Sequence, residues 1–288
     1  MSSVTDVYVG WKKWYPSDEE LVEFYTNNTV PVELKENEYL LIYDKDNTLV
    51  AQCCFENGKL KKIGRSTIKI SKPKELREPG KENQKVYAPR NDEQICAFDL
   101  IKDRNKPVKL ITGGWGTGKT MILVTGALEA LKHNVFDKII WIRNNVDVKD
   151  TKDLGALPGE VLDKLLPFLG PFIDHAGEDE VRTMLNKGSL VVEPLQSLRG
   201  RNFENSLIMC SESENLTREH IQLIIARAAD GSEVWLDGDT RQRDKAAFEK
   251  SKGLETMIER LAGNELFGYV HLIKSERSQT AALADLLD

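Results

Sequence analysis

The pattern of apolar and polar residues changes along this chain at about residue 90, and the pattern before that point is typical of a small sheet. Short runs of strand-forming residues before residue 71 predict strands at Tyr39–Tyr43, Leu49–Phe55, Lys59–Ile63 and Ser66–Ile70. Asn57-Gly58 lies between two of these runs and favours a hairpin, because both residues readily adopt a left-handed backbone. Ser17 and Glu20 have the spacing of a capping box and predict a helix over residues 18–27. We therefore expect a small antiparallel sheet with one helix.

From about Asn91 onward, short apolar runs alternate with helical patterns. The apolar runs predict buried strands at Val108–Thr112, Lys138–Arg143, Leu190–Val192, Ser206–Cys210, Glu233–Leu236 and Tyr269–Ile273. The helical patterns lie near residues 91–103, 119–132, 160–173, 217–229 and 253–262. This alternation indicates an α/β fold whose parallel sheet is flanked by helices. Residues 71–90 hold three prolines among charged residues and predict a linker.

Length and composition support a folded protein of one or two domains. The chain has 288 residues, of which 40% are hydrophobic, as is ordinary for globular proteins. We expect a small β-rich appendage with its linker over residues 1–85 and a nucleotide-binding domain over residues 86–288. No segment approaches the roughly 20 apolar residues of a membrane helix, and the first residues lack the pattern of a signal peptide. The expected location is therefore cytoplasmic, without membrane attachment.

A phosphate-binding loop stands between a predicted strand and a predicted helix. The residues Gly113-Gly-Trp-Gly-Thr-Gly-Lys-Thr120 match the pattern G-x-x-x-x-G-K-T. Glycines let successive backbone N–H groups turn toward an anion, and the following helix directs its positive end at the same point. We assign nucleotide binding to Gly113, Gly114, Trp115, Gly116, Thr117, Gly118, Lys119 and Thr120. Lys119 is expected to reach the β- and γ-phosphates of ATP, and Thr120 to coordinate Mg²⁺.

Two later strands end in polar residues that suit the other side of a phosphate. Ser211-Glu212 follows the strand Ser206–Cys210, where a metal-facing group and a water-orienting acid are expected. Candidate metal-side positions are thus Thr120, Ser211 and Glu212, with Glu212 also the candidate base. Gln242 follows the strand Glu233–Leu236 and is a candidate γ-phosphate sensor. The alternatives are solvated acids before a helix and a simple Asp-Gly turn.

These motifs together resemble the PhoH-like ATPase family over about residues 90–288. The resemblance rests on the phosphate loop with the segments Ile139–Arg143, Leu154–Gly159, Leu198–Arg201, Ser211–Asn215 and Gly238–Gln242. It implies a RecA-like core related to superfamily 1 helicases, ATP hydrolysis, a role in RNA metabolism and a homohexameric ring. It also implies roles for Lys119 and Thr120 on phosphate and Mg²⁺, Glu212 as base, Gln242 as sensor, Arg277 as arginine finger and Gln94 as adenine reader.

The chain departs from the family pattern at two positions. Ser211 stands where the family's strand normally ends in Asp before Glu, so a negative charge beside the metal is missing. Our hypothesis is that Glu212, Asp237 or Asp239 supplies it. Trp115 stands where the family usually has a small residue, and its ring is expected either to pack on the sheet end or to lie near the nucleotide.

Charge is distributed unevenly along the chain. The segment from Lys59 to Arg77, called here the basic segment, has eight basic residues and one acid. It therefore carries +7 in a chain of net charge −6, which leaves −13 elsewhere. Such a segment suits the backbone of RNA or another single-stranded nucleic acid. Alternatively, its lysines protect exposed strands from edge pairing.

The interpretation that combines these observations is a Mg²⁺-dependent ATPase that assembles into a ring and acts on RNA or single-stranded nucleic acid. A RecA-type site is usually completed by an arginine from a neighbouring core, and this chain has one core, so either a second copy supplies the arginine in a ring or the site works poorly alone. The candidate arginines are Arg277, which we rank first, Arg227, Arg199 and Arg201. Two alternatives stay open. One is an ATP-binding scaffold or switch that hydrolyses weakly because of Ser211, and the other is a small-molecule kinase built on the same loop.

Overall fold

The computed structural model describes residues 7–143, 163–240 and 252–276. Their strands are β1 (Trp11–Trp14), β2 (Tyr39–Tyr43), β3 (Leu49–Glu56), β4 (Lys59–Lys62), β5 (Ile68–Ser71), β6 (Gln84–Tyr87), β7 (Val108–Gly113), β8 (Lys138–Arg143), β9 (Leu190–Pro194), β10 (Ser206–Cys210), β11 (Glu233–Gly238) and β12 (Phe267–Leu272). Their α-helices are α1 (Asp18–Asn27), α2 (Asp92–Lys102), α3 (Lys119–Lys132), α4 (Gly170–Ala176), α5 (Glu178–Lys187), α6 (Arg218–Ile225) and α7 (Gly253–Leu261). Short 3₁₀ turns occupy Lys74–Leu76, Leu166–Leu169, Leu195–Leu198 and Ser213–Asn215.

Six strands form the central sheet in the order β12-β7-β11-β10-β8-β9, and every neighbouring pair is parallel. The strands are apolar on both faces because helices cover both: one core cluster includes residues of α2 to α5, and the other includes residues of α6 and α7. This confirms the predicted α/β core, in which helices flank a parallel sheet. Strand β11 lies between β7, which leads into the phosphate loop, and β10, which leads into Ser211.

The amino-terminal sheet is mixed rather than wholly antiparallel. Strands β2, β3 and β4 are antiparallel as expected, but β1 pairs parallel with β2. The sequence pattern missed β1, since Trp11-Lys-Lys-Trp14 is four residues long and has buried residues only at its ends. Helix α1 begins as predicted, with Ser17 Oγ accepting from the Glu20 N–H (3.2 Å) and Glu20 Oε2 accepting from the Ser17 N–H (2.7 Å).

The segment expected to be a linker contains ordered structure. Strand β6 pairs antiparallel with β5, and the Tyr87 hydroxyl lies 2.9 Å from His175 Nδ1 at the end of α4. Burial lowers the pKa of His175, and the charge of Lys85 acts in the same direction. The prolines at the edges of this segment signalled a break, yet pairing with β5 and contact with α4 stabilise a strand that its own charged sequence does not predict. The linker expectation is wrong for Gln84–Tyr87.

The helical pattern near residues 160–173 also differs from the structure. Its described part has helical residues at 163–165, as predicted, but a 3₁₀ turn over Leu166–Leu169 then separates them from α4. Pro171 lies in the first turn of α4, where its missing N–H is tolerated, so it starts a new helix instead of continuing the previous one. Helix α5 was not predicted, and it follows Gly177 directly. Among the described residues, no helix has both the length and the apolar character that crossing a membrane requires.

The amino-terminal sheet joins the core at the outer edge of β12. The His271 N–H donates to the Val9 carbonyl (2.9 Å), and the Trp11 indole donates to the His271 carbonyl (2.8 Å). The Asn37 amide lies 3.0 Å from each of three carbonyls, at Asn264, Glu265 and Phe267. Residues of the amino-terminal part thus occupy backbone groups that an edge strand otherwise exposes.

An ion pair is buried at the amino ends of β7 and β11. Lys109 and Glu233 are 0% and 5% exposed, and the Lys109 ammonium contacts Glu233 Oε2. The Trp235 indole donates to the same oxygen (2.7 Å), and Arg104 Nη1 lies 3.0 Å from Glu233 Oε1. Burial lowers the pKa of Lys109 to about 8, against the raising effect of Glu233. Glu233 is therefore matched by two cations and an indole donor.

Candidate functional site

The carboxyl ends of β7, β11 and β10 meet at one edge of the central sheet, and the candidate residues lie there. The register pairs Gly238 with Thr112, and Leu236 with Cys210. The next residue along β10, Ser211, therefore lies beside Asp237 of β11. A parallel sheet brings the polar residues that follow its strands to this edge, which is where such folds bind ligands.

The phosphate loop turns between β7 and α3 on three glycines with positive φ. These angles are 155° at Gly113, 70° at Gly116 and 90° at Gly118. A Cβ at Gly113 would lie 2.5 Å from the Leu272 carbonyl oxygen, so the close approach of β12 requires glycine there. Gly118 caps α3 without a side-chain acceptor. The first N–H groups of this helix therefore remain directed at the loop, as anion binding requires.

Side chains inside the loop stabilise its turn. Thr117 Oγ1 donates to the Gly114 carbonyl (2.9 Å), and the Lys119 ammonium lies 3.3 Å from the same oxygen. Thr117 is 1% exposed, whereas Lys119 and Thr120 are half-buried and follow the loop at the start of α3. Lys119 is thus held inside the curve of the loop, where its charge faces the position that the loop offers to an anion.

Gln94 is buried beneath the loop and bonded to the main chain on both sides of its amide. Its NH₂ group donates to the Thr117 carbonyl (2.9 Å), and its Oε1 accepts from the Arg90 N–H (2.9 Å). The side chain of Asn91 caps the same helix by accepting from the Gln94 N–H (2.9 Å). Gln94 therefore ties the start of α2 to the loop. Its expected contact with adenine stays a prediction.

The chain after β12 crosses the loop, which the sequence did not indicate. The Glu276 N–H donates to the Gly116 carbonyl (2.9 Å), and Asn91 Nδ2 donates to Glu276 Oε1 (2.8 Å). Glu93 Oε2 accepts from the Ile273 N–H (2.7 Å) at the end of the same strand. These bonds connect α2, the loop and the segment that precedes Arg277.

Three of the sequence predictions lie outside the described residues. They are the sensor Gln242, the arginine finger Arg277 and the motif at 154–159. Trp115, in contrast, is described and is 43% exposed. A large part of its ring therefore faces solvent beside Gly116, as the placement near a nucleotide requires.

Asp237 is the acid that the structure places beside Ser211. Its side chain is 1% exposed, and its Oδ1 accepts from Ser211 Oγ (2.8 Å) and from the Glu212 N–H (3.0 Å). Burial raises the pKa of Asp237, while these two bonds, the charge of Lys119 and a hydrogen bond from Thr120 act to lower it. The Asp237 carboxyl is thus bonded to the end of β10 and is also influenced by both candidate residues at the start of α3.

Glu212 has an exposed side chain and an unusual backbone. Its φ of 56° lies in the left-handed region, which non-glycine residues adopt rarely and often at functional sites. Two residues later, Glu214 is half-buried, and burial raises its pKa. The Asp239 N–H lies 3.3 Å from Glu214 Oε2. The charge of Glu212 also raises the pKa of Glu214. The role of Glu212 as base stays a prediction.

The basic segment has an aromatic neighbour that sequence order concealed. Lys59, Lys61 and Lys62 lie on β4, an edge strand of the amino-terminal sheet, and all three are exposed. The Lys62 ammonium lies 4.7 Å from the centre of the Tyr25 ring, which α1 supplies. Lys61 is 3.3 Å from Glu56, so part of its charge is matched locally. The edge position fits protection against pairing, and the exposed tyrosine fits base stacking.

The known proteins to which this chain is similar in sequence are PhoH and PhoH-like proteins. A family model described as PhoH-like protein matches residues 86–285. Protein PhoH2 of Bacillus subtilis (strain 168) is 30% identical over 297 residues, covering 98% of this chain and 65% of its own length. Protein PhoH of Escherichia coli (strain K12) is 30% identical over 198 residues, covering 67% of this chain and 54% of its own length. The chain thus spans less than two thirds of either relative.

A solved structure shares a looser similarity. The helicase domain of Pyrococcus furiosus Hef aligns with 13% identity and a TM-score of 0.35, over 63% of this chain and 38% of its own. A similarity of this size does not bear on activity.

Proposed function

This chain belongs to the PhoH-like family, and on that basis we propose that it is a Mg²⁺-dependent ATPase that works as a ring on RNA or another single-stranded nucleic acid. The observation that carries the proposal is the meeting of the phosphate loop, Thr120 and a buried carboxylate at one sheet edge. The backbone N–H groups of the loop and Lys119 bind the phosphates. Oxygen donors such as a threonine hydroxyl and a carboxylate are the ligands that Mg²⁺ prefers.

The chain's own residues divide the work of hydrolysis. Lys119 and the loop hold the γ-phosphate and stabilise its developing charge, and Thr120 binds Mg²⁺. Thr120 and a nearby carboxylate would hold Mg²⁺, which would supply positive charge against the phosphate oxygens. Glu212 orients the attacking water, and Gln242 senses the γ-phosphate. The left-handed backbone of Glu212 is consistent with a side chain aimed at substrate instead of at the sheet.

The test of this function is ATP turnover with and without single-stranded RNA, measured beside ATP binding. We expect Glu212→Gln to lower turnover by about 100-fold or more while ATP still binds, because the water loses its base. Lys119→Ala is expected to lose binding and turnover together, because the phosphates lose their cation. Glu204→Gln, at an exposed acid just before β10, is the matched control and should retain wild-type turnover. Wild-type turnover that is unchanged in Glu212→Gln would contradict the assigned base.

The ATP-binding scaffold is the second candidate function, and Ser211 is the observation that favours it. The residue at the end of β10 is a neutral hydroxyl that donates to Asp237, so it brings no charge of its own to a metal. A scaffold would bind ATP tightly in the wild type without turnover, whether or not RNA is present. That outcome would replace the motor with a nucleotide-gated switch.

A ring requires that one subunit complete the site of its neighbour. Glu276 is bonded to the loop one residue before Arg277, so a finger that acts within its own subunit is the competing arrangement. Mixing Lys119→Ala with Arg277→Ala subunits separates the two. If Arg277 acts on the neighbour, mixed rings contain complete sites and turnover rises above that of either variant. If Arg277 acts within its own subunit, mixing restores nothing.

The basic segment is the proposed binding surface for nucleic acid. Charge reversal at Lys59, Lys62 and Arg65 should weaken RNA binding and lower its salt slope by about 1 for each phosphate that is no longer neutralised. Tyr25→Ala should weaken binding with little change in the salt slope, because stacking releases no counterions. Unchanged affinity and slope in the charge-reversed protein would assign these lysines to edge protection instead.

A further inference from the structure

We propose that Asp237, at the end of β11, supplies the metal-facing carboxylate that β10 lacks, and that Ser211 orients this carboxylate instead of facing the metal itself. The inference rests on the proposed function and names the acid at its metal site. The sequence placed the metal-side groups on Thr120, Ser211 and Glu212 and left Glu212, Asp237 and Asp239 open as sources of the missing charge. The inference selects Asp237, which lies on the neighbouring strand.

The register of the sheet makes this exchange geometrically possible. Cys210 is paired with Leu236, so the residues that follow them stand side by side at the sheet edge. Ser211 Oγ and the Glu212 N–H both donate to Asp237 Oδ1, at 2.8 and 3.0 Å. A carboxylate has about four acceptor sites on its two oxygens. Asp237 is therefore oriented by β10 while it keeps capacity for further ligands.

Asp237 also interacts with the start of α3, because Thr120 and the charge of Lys119 both act to lower the pKa of this carboxyl. Since Thr120 is the residue assigned to Mg²⁺, an acid this close to it is placed to share the same ion or its water shell. The side chain of Glu212, in contrast, is exposed, whereas Asp237 is buried.

Charge balance supports the same assignment. Asp237 is 1% exposed, and its direct donors at Ser211 and Glu212 are a hydroxyl and a backbone N–H, which carry no net charge. A buried carboxylate is costly without a compensating positive charge. Lys119 contributes such a charge, but phosphate engages Lys119 when a nucleotide binds. A divalent cation then provides the compensation that Lys119 no longer supplies.

The identity of residue 211 follows from this placement. If both 211 and 237 were aspartates, two carboxylates would be in direct contact in a buried site, and one would be driven to hold a proton. A serine at 211 removes that repulsion and adds a donor. Ser211 is thus compatible with a metal-binding acid on β11, and the two positions act as a pair.

The Ser211–Asp237 pair can be tested by moving the carboxylate from position 237 to position 211. Binding of a fluorescent, non-hydrolysable ATP analogue is measured in EDTA and then over a Mg²⁺ titration, for wild type, Asp237→Asn, Asp239→Asn and the double variant Ser211→Asp/Asp237→Asn. Asparagine keeps an acceptor oxygen for Ser211 and Glu212, so Asp237→Asn preserves the local bonds. Thermal unfolding without nucleotide verifies that each variant folds.

We expect Asp237→Asn to bind the analogue in EDTA at least as tightly as wild type and to need about tenfold or more Mg²⁺ to reach its midpoint. The double variant should return the midpoint to within about threefold of wild type, because a carboxylate again faces the ion. A wild-type Mg²⁺ midpoint in Asp237→Asn, or a larger shift in Asp239→Asn, overturns the inference. If the wild type binds no nucleotide at all, the proposed function fails with it. If the wild type shows Mg²⁺-dependent binding and Asp237→Asn retains it, only the assignment of Asp237 fails, and the proposed function is not contradicted.

Discussion

Strand β11 carries a buried acid at each end, and the two acids differ in how their charge is matched. Glu233 and Asp237 are four residues apart on the same face of one strand, and they are 5% and 1% exposed. Glu233 contacts Lys109 and Arg104, two cations, and the indole of Trp235. Asp237 accepts from a hydroxyl and a backbone N–H. One strand thus holds a closed ion pair at one end and an acid with neutral direct donors at the other.

The difference separates an acid that serves the fold from one that suits a ligand. An acid whose oxygens already contact cations has little left to gain from a metal ion. An acid held by neutral donors keeps its charge available, and it lies where the phosphate loop needs a counter-ion. Burial alone therefore does not identify a functional acid, and the charge of its partners does.

The largest change in the free energy of unfolding is expected when Glu233 is neutralised. Glu233→Gln leaves Lys109 buried without its carboxylate, so we expect the free energy of unfolding to fall by about 3 to 5 kcal/mol. Urea denaturation measures this change. Glu265→Gln, at an exposed acid before β12, should stay within about 0.5 kcal/mol of wild type. Unchanged stability in Glu233→Gln would show that the pair at this end is not structural.

The pH dependence of stability tests the Lys109–Glu233 pair through the titration of Lys109. Burial lowers the pKa of Lys109 to about 8 in the folded protein, whereas a lysine in an unfolded chain titrates near about 10.4. Between these values the unfolded state binds more protons, so this residue makes the folded state more stable as pH rises. The unfolding free energy of wild type minus that of Lys109→Met should therefore increase from about pH 8 to about pH 10.4. Parallel curves for the two proteins would contradict it.

The smallest change in the free energy of unfolding is expected for Asp237, at the other end of β11. Burial raises the pKa of Asp237, so ionisation of this carboxylate lowers the stability of the fold as pH rises above the pKa of an unfolded aspartate. Without nucleotide or Mg²⁺ at neutral pH, we expect Asp237→Asn to be as stable as wild type or up to about 1 kcal/mol more stable. A decrease as large as that of Glu233→Gln would make both ends structural and remove the contrast between them.

Local patterns were sufficient to predict the α/β core and the loop. The strand Tyr39–Tyr43, the helix after Ser17 and the helix that starts at Lys119 have the predicted bounds, because capping residues and unbroken apolar runs signal them locally. The sequence also placed three candidate acids, Glu212, Asp237 and Asp239, near the proposed metal site. It could not choose among them, since the choice depends on the register between β10 and β11.

The features that the sequence missed depend on contacts between distant residues. Strand β6 exists because β5 and α4 contact it, and no pattern within Gln84–Tyr87 records that. The bond between Glu276 and Gly116 joins residues that are far apart along the chain. The same is true of the aromatic neighbour of the basic segment, because Tyr25 reaches Lys62 from a different element. Such contacts follow from packing, which short-range periodicity does not encode.

The joint between β12 and the amino-terminal residues restricts how this protein can be divided. A fragment that begins at residue 86 would retain every residue of the phosphate loop, yet it would lack Val9, Trp11 and Asn37. The main-chain groups that these residues occupy would then stand open along the rim of the parallel sheet. Such an open sheet edge favours self-association, so we expect solubility, and not the phosphate loop itself, to set the minimum length of a stable fragment of this core.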